Sequence, residues 1–427
     1  MEVSRRELLP NVYLTAVETD KFKSGVLSAT LLTQLERSSA SPNALIPSVL
    51  RRGTATLPDM SALQERLDSL YGAGMEPSVR RKGEIQLLSF RSSFCDERFL
   101  PGREELCAPL ASLLGEMWLR PETRGGLLRP DYVESERDKL VERIDGRVND
   151  KISYALSRLL EEMCCFEDFG VSPLGTRDSA ESIYYVNLTR RYRDLLATSP
   201  VELFYCGAMD ADKVASHLTE AFLPLPRGEI DPELGTDIRM NTVEAEPRFF
   251  EEAMDVAQGQ LALGFRLGKC MEEPDYAVLR VLNALYGGSV TSKLFMNVRE
   301  KLSLCYYASS MLDAHKGVMA AIAGIRFDDR QKAQDEMLRQ LDELRQGRFT
   351  DEELHSAKAH IASSLRSVGD TPGGLEDFYL DQTLLGLDYG PDELAALVED
   401  VSAGEVAKAA GDIALDAAYF LRGEEKA

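Results

Sequence analysis

Histidine is scarce in this chain, with four in 427 residues, and none of the four stands at the i, i+4 spacing that puts two imidazoles on one helix face. His217 and His315 are isolated, and His355 and His360 lie five apart with no Glu between them. No Ser/His/Asp or Cys/His constellation assembles around any of them. The seven Cys, at positions 95, 107, 164, 165, 206, 270 and 305, are odd in number, scattered and free of any C-x-x-C. That argues against a thiolate zinc site and a disulfide framework, and predicts reduced, mostly core thiols. No apolar run approaches the ~20 residues that cross a bilayer. Behind the basic residues of MEVSRRELLPNVYL no apolar stretch follows, so no secretory signal is read and the cytoplasm is the expected compartment. Positive charge is in deficit as well: 49 Lys and Arg stand against 71 Asp and Glu, a net −22 that repels phosphate backbones and anionic lipid. Nucleic acid and membranes are therefore not expected as partners. The acidity fits a solvated surface, or a chamber that attracts basic peptides.

What is present is enough for two cores. The chain is too long for one, and 44% of it is hydrophobic. Strands are read at Asn11–Thr19 and Gly25–Gln34, helices at Ala44–Arg52 and Asp59–Tyr71, closed by Gly72, and strands at Met75–Arg80 and Ile85–Ser93. Helices fill Glu104–Cys165, the clearest being Lys151–Met163, where Ile152, Ala155, Leu156, Leu159, Leu160 and Met163 share a face. A strand, Val201–Gly207, and a helix, Ala211–Phe222, end this half. A stretch rich in Pro, Gly and charge then leads into a second half that repeats the order: strands Phe249–Val256 and Gln260–Arg266, helices Tyr276–Tyr286 and Ser292–Leu302, strands Cys305–Met311 and Val318–Ile325, helices to Ala410, and a last strand Ala417–Arg422. The reading is an α+β fold of two homologous sandwich domains with a mixed, mostly antiparallel sheet and helices on one face. The boundaries are 1–225 and 248–427, joined by a linker at 226–247.

Residues 286–310, YGGSVTSKLFMNVREKLSLCYYASS, carry the chemistry. Gly287 and Gly288 can take positive φ and break the chain after an apolar helix, and Thr291 or Ser292 can cap the next one. Leu294, Phe295, Val298 and Leu302 recur at helical spacing, which brings Arg299 near the helix end and Tyr306 at the following strand to one cleft. This unit resembles the insulinase/pitrilysin-type zinc metallopeptidases, a family that includes mitochondrial processing peptidase. There a Gly-Gly turn, a Ser-Lys/Arg-Leu-Phe helix and an Arg-Glu-Lys-x-x-Leu-x-Tyr run bind peptide and polarise its carbonyl. The likeness covers essentially the whole chain. The run from Thr350 to Lys358, with Glu353, Leu354 and Ala357, also matches a recurrent T-x-E-E-L-x-x-A-K of that family, although an ordinary amphipathic helix explains it equally well. Thr19–Gly25 and Asn149–Leu156 look like one bacterial branch whose members lack zinc.

The metal motif of that family is absent. Active members carry H-x-x-E-H, in which two His bind zinc and the Glu activates water. Aligned on the closing Gly53-Thr54, the two His positions fall on Ala44 and Ser48 and the Glu on Pro47. Pro47 costs about 3 kcal/mol inside a helix, so the helix is expected to start later or to kink. In the third-ligand helix, Glu136–Ile144 follows the family pattern, but Arg143 occupies the ligand position. A guanidinium there repels a divalent cation by several kcal/mol even at an effective dielectric of about 20. Glu142 is the one conceivable shifted ligand, with no His near it.

The resemblance therefore implies a zinc-less, non-catalytic partner subunit. A zinc-bearing homologous subunit would close with it like a clamshell around a peptide held as an added strand. Arg299 and Tyr306 would donate to the substrate carbonyl, Gly287 and Gly288 would let the backbone approach the peptide, and zinc would sit only in the partner. Two other readings stay open: a structural or peptide-binding homodimer, with Arg299 and Tyr306 serving folding, and an independent zinc protease.

Overall fold

The computed structural model describes residues 1–230, 234–268 and 275–424; Cys270 and parts of the expected linker lie outside them. The described chain forms two compact units. The first contains Met1–Gly146, Val171–Gly235 and Asp370–Asp381, and the second Arg147–Gly170, Thr236–Gly369 and the remainder from Gln382. The units differ from the sequence halves by an exchange: the helix Lys151–Met163 belongs to the second unit, and Asp370–Asp381, most of it the first part of the helix Pro372–Leu385, belongs to the first.

In the first unit, strands β1 (Glu2–Leu9), β2 (Val12–Glu18), β3 (Ser24–Gln34), β4 (Gly74–Lys82) and β5 (Ile85–Cys95) are followed by a two-stranded hairpin, β6 (Thr123–Arg124) and β7 (Leu127–Leu128), and by β8 (Val201–Gly207). The main sheet runs β1-β2-β8-β3-β5-β4. Only β2 and β8 pair in parallel. In the second unit, β9 (Arg248–Met254), β10 (Gly259–Arg266), β11 (Cys305–Asp313), β12 (Val318–Ile325) and β13 (Ala414–Gly423) form a sheet of order β11-β12-β10-β13-β9. There too the first and last strands, β9 and β13, make the one parallel pair. Apart from β1 the two sheets share one topology, with β11 occupying in the second the edge that β4 occupies in the first.

Central strands are apolar on both faces, as GQLALGFR in β10 and VMAAIAGI in β12 require, and every residue of both is buried. One face of the second sheet carries the helices of its own sequence half. The other is covered by Lys151–Met163, whose Ala155, Leu156, Leu159 and Met163 pack on Ala262, Val318, Ile322, Ala417 and Tyr419. The matching face of the first sheet is polar, with Thr30 and Ser89 hydroxyls 2.7 Å apart. Residues 370–381 cover it through ion pairs: Asp370 with Lys21 at 2.9 Å, Glu376 with Arg91 at 3.3 Å, Asp381 with Lys82 at 2.9 Å, and Asp377 with Arg80.

A buried ionic cluster ties the exchanged segment into the second unit. Arg266, with no exposed side chain, donates to Glu167 Oε1 and Oε2 at 2.5 and 3.0 Å and to Asp416 Oδ2 at 2.9 Å. Lys316 Nζ lies 2.8 Å from Glu167 Oε2, and Arg248 Nη2 lies 3.1 Å from Asp416 Oδ1. Arg248 also donates to the Met163 carbonyl at 2.8 Å, so charge satisfaction and the end of the helix Lys151–Met163 are fixed together.

Three sequence expectations change. Pro47 neither delays nor ends its helix, which runs Ala40–Leu50 with Pro47 inside. Nine of its eleven residues are buried, and that packing outweighs the lost N–H. The helix Tyr185–Thr198 was not anticipated, although Leu188, Tyr192 and Leu195 mark its buried face at helical spacing. The edge strand β1 was also missed, because its sequence EVSRRELL shows no apolar alternation.

Candidate functional site

The segment from Ala284 to Asp313 is two wide helical turns laid against an edge strand. Ala284–Gly288 and Leu294–Lys301 both wind as π-helix rather than α-helix. Gly287 and Gly288 do not take positive φ, contrary to expectation. Their lack of a side chain has a different cause: a Cβ on Gly287 would sit 2.7 Å from the Ser310 backbone N, and one on Gly288 would sit 2.8 Å from Asn283 Nδ2. Glycine is needed so that the turn can lie flat on β11. Ser310 Oγ donates to Asn283 Oδ1 at 2.7 Å and holds the two together.

Ser292 Oγ accepts from the Phe295 backbone N–H at 3.3 Å and so caps the second wide helix, as its position predicts. Leu294 and Val298 are buried, whereas Leu302, expected on the same face, is 46% exposed. The helix closes with two carbonyls satisfied in reverse: Ser303 N–H donates to Arg299 O at 3.1 Å and Leu304 N–H to Val298 O at 3.0 Å. This closure is one residue wider than a Schellman motif, as suits a π-helix, and in it Ser303 takes the left-handed region at φ 50°.

Arg299 sits one turn after Phe295, with its Cζ 4.6 Å from the ring centroid. Its nearest carboxylate is the adjacent Glu300, at 3.6 Å, and its side chain is 39% exposed. At the start of β11 burial pushes the Cys305 thiol up to about 11, while the charge of Arg299 pulls it the other way. Tyr306 follows Cys305. On β12, Ile325 faces Cys305 and Gly324 faces Tyr307, so Tyr306 is the extra residue of a β-bulge and has no cross-strand partner. It is 69% exposed. Bulges at sheet edges re-aim a side chain, and this one points a phenol out of the ladder. Tyr307 locks the position from the other side: its hydroxyl donates to Gln260 Oε1, and its ring lies over Gly324, where a Cβ would meet Cε1 at 2.3 Å.

The rest of β11, YASSMLD, contains no Pro and no charge before Asp313, and the strand pairs on one side only. Its counterpart edge β4 carries Pro77 and the basic run Arg80–Lys82. One sheet edge is thus blunted and the other left able to accept a strand. Val290, Met296, Leu302, Tyr306 and Met311, all large and exposed, also fall in this one segment.

Residues outside the family-like run complete the support. Lys293 Nζ lies 2.7 Å from Glu353 Oε1, and Thr291 Oγ1 lies 3.0 Å from Ser356 Oγ. Asn297 Nδ2 donates to Gln340 Oε1 at 3.0 Å. Glu353 belongs to the T-x-E-E-L run that an ordinary helix explained equally well; Asn297 and Gln340 gave no signal, since amides in helices are common.

Zinc does not fit the residues at the vacated metal positions. Ala44 and Pro47 are buried and carry no donor, Ser48 offers one hydroxyl, and Arg143 is exposed. Glu136 is already held by Arg52 Nη1 at 2.9 Å and Lys139 Nζ at 2.7 Å, and Glu142 is exposed. Among the described residues no group of three or more His, Cys, Asp or Glu could hold a metal ion. Nor is any described helix long and apolar enough to cross a membrane.

A family model described as the M16 peptidase inactive domain matches residues 186–361. The probable inactive metalloprotease YmfF of Bacillus subtilis (strain 168) is 30% identical over 413 residues, which is 96% of each chain. A solved conserved protein from Enterococcus faecalis V583 is 26% identical with a TM-score of 0.89, over 100% of this chain and 99% of that one. A solved M16 inactive domain from Pseudomonas fluorescens, 15% identical, shares the fold at a TM-score of 0.80 over 100% of this chain and 99% of that one. With ligand-poor residues at every metal position and a relative of this similarity along its whole length, the chain belongs to the M16 peptidase family as an inactive homologue.

Proposed function

We propose that this chain is the zinc-less subunit of a heteromeric M16 metalloendopeptidase, acting in the cytoplasm with a zinc-bearing homologous subunit on peptide substrates. The observation that carries the reading is an edge strand without charge or Pro until Asp313, with an exposed Tyr306 turned out by the bulge at its start and, in the helix before it, an Arg299 whose nearest carboxylate is the adjacent Glu300 at 3.6 Å. A peptide adding to β11 exchanges main-chain hydrogen bonds with it. Arg299 and Tyr306 then donate to the peptide carbonyl that zinc-bound water attacks in the partner's site, each donor contributing roughly 2.7–4 kcal/mol as the oxyanion develops. Gly287 and Gly288 serve that site by letting their turn lie close to Ser310 and Asn283. The metal, the attacking water and its base all come from the other subunit.

Mixing this chain with a zinc-bearing homologue from the same genome tests the reading. Peptide cleavage should require both chains and should fall with Arg299→Ala. Cleavage by the homologue alone at an equal rate, or native mass spectra showing this chain only with itself, would favour the peptide-binding homodimer.

A further inference from the structure

The winding of Leu294–Lys301 raises the question of what holds it. Wide helices of this kind are rare, usually a single turn, and concentrate at functional sites; this one runs for eight residues. In an α-helix the Lys293 carbonyl would take the backbone N–H of Asn297. The Asn297 side chain adds a bond of its own to that carbonyl, with Nδ2 donating to Lys293 O at 3.1 Å and to Gln340 Oε1 at 3.0 Å. The Asn297 carbonyl accepts from Leu302 N–H, five residues on, at 3.1 Å.

The orientation of that amide is determined from outside the segment. Gln340 is 2% exposed, and its Nε2 donates to Glu336 Oε1 at 2.6 Å. A carboxylate accepts only, so the Gln340 amide must turn its oxygen toward Asn297, and Asn297 must answer with its nitrogen. Glu336 is itself held by Arg339 Nε and Nη2 at 2.8 and 2.6 Å. The relay Arg339–Glu336–Gln340–Asn297 therefore has one consistent arrangement of donors.

We propose that Asn297 is a positioning residue: its side-chain amide, locked by Gln340, keeps Leu294–Lys301 in the wide register, and that register aims Arg299. Each residue in the wider turn advances through a smaller angle than in an α-helix. From Lys293 to Arg299 the lag accumulates to roughly a quarter turn. Without the lock the segment relaxes to α-helix, in which Phe295 and Arg299 remain neighbours four residues apart but meet at a changed angle, so the guanidinium turns relative to the ring. The consequence for peptide rests on the functional reading above; the lock itself does not.

The test uses the full chain without peptide. The Nε–Hε resonance of Arg299 in the intact protein carries the ring-current shift of Phe295, and Phe295→Leu defines its absence. Asn297→Asp keeps the shape and removes both donors. It should shift the Arg299 resonance away from its wild-type position while the thermal midpoint stays within a few degrees, whereas an unmoved resonance overturns the proposal. Should that variant not fold, Gln340→Met, which unlocks the amide from the other side, is read by the same two outcomes. A second arm measures an extended apolar peptide. Arg299→Ala should weaken its binding about tenfold in the wild-type background and hardly at all beside Asn297→Asp. An equal loss in both backgrounds overturns the aiming role. No loss in either background, with the resonance moved, leaves the lock standing and refutes the peptide reading alone.

Discussion

Glu353 grips Lys293 with both carboxylate oxygens, at 2.7 and 2.9 Å, while its Oε2 also accepts from the Thr350 backbone N–H at 2.8 Å. One side chain thus closes the capping box of the helix Asp351–Ser367 and anchors the residue that begins the Arg299 segment. The T-x-E-E-L run is therefore part of the architecture around Arg299.

Glu353→Ala removes the cap and the pair together and should destabilise by about 1–2 kcal/mol. Glu353→Gln retains the cap's acceptor and should lose about half as much by the same reasoning. Thermal unfolding of the two variants beside the wild type checks the order.

Ser303, held at φ 50° by the helix closure, pays for a conformation that glycine adopts freely. The left-handed region costs an L-residue about 1–2 kcal/mol, and glycine's greater freedom in the unfolded chain returns part of that. Ser303→Gly should therefore raise stability by about 0.5–1 kcal/mol, and Ser303→Val should lower it. Urea midpoints at constant slope decide the matter.

The buried cluster around Arg266 gives an acid-side signature. Burial alone would raise the Glu167 carboxyl, but hydrogen bonds and charge from Arg266 and Lys316 outweigh it and hold the group below its usual range. A depressed carboxylate contributes stability above its unfolded value of about 4.3 and loses it as pH falls through the folded value. Stability should thus decline below about pH 4.5 more steeply in the wild type than in Glu167→Gln. That variant should cost about 3–5 kcal/mol at pH 7, because it leaves Arg266 and Lys316 short of an anion.

Glu202 titrates the opposite way. Burial pushes it up to about 7, and Arg5, 2.6 Å away but 36% exposed, is too solvated to cancel that. Between its unfolded value and about 7 the folded chain binds a proton that the unfolded chain has released, so stability falls as pH rises through that window and then levels off. The full decline is of the order of 3 kcal/mol. Glu202→Gln should flatten the stability profile between pH 5 and pH 8; an unchanged slope would mean that the carboxylate is ionised throughout.

The sequence made much of this legible, and for physical reasons. Apolar strands such as Val318–Ile325 and the duplicated order of elements showed through because burial on both faces leaves uninterrupted hydrophobic runs. Arg299 and Tyr306 stand out in the sequence through the family-like run around them, since their spacing alone arises readily by chance. Their setting does not. A π-helix has no compositional mark that separates it from an α-helix, and a bulge at Tyr306 depends on which residues of β12 oppose it. Gly287 and Gly288 looked like turn glycines because the close approach of the one to Ser310 and of the other to Asn283 leaves no local trace. Pro47 misled in the other direction, since a helix that buries most of its surface tolerates a missing N–H. The exchange of Lys151–Met163 into the second unit is likewise a long-range choice: the apolar face is legible in the helix, but the sheet it packs on and the Arg248 that holds its end are distant in sequence.

The most direct measurement is the rate of peptide cleavage by the zinc-bearing homologue combined with this chain, wild type against Arg299→Ala and Tyr306→Phe, with bound zinc counted in each purified subunit. The account predicts zinc in the homologue only, cleavage that needs both chains, and a loss of about 10²-fold or more for each substitution at unchanged assembly. Stoichiometric zinc in this chain, or full cleavage with Arg299 and Tyr306 both replaced, would contradict it.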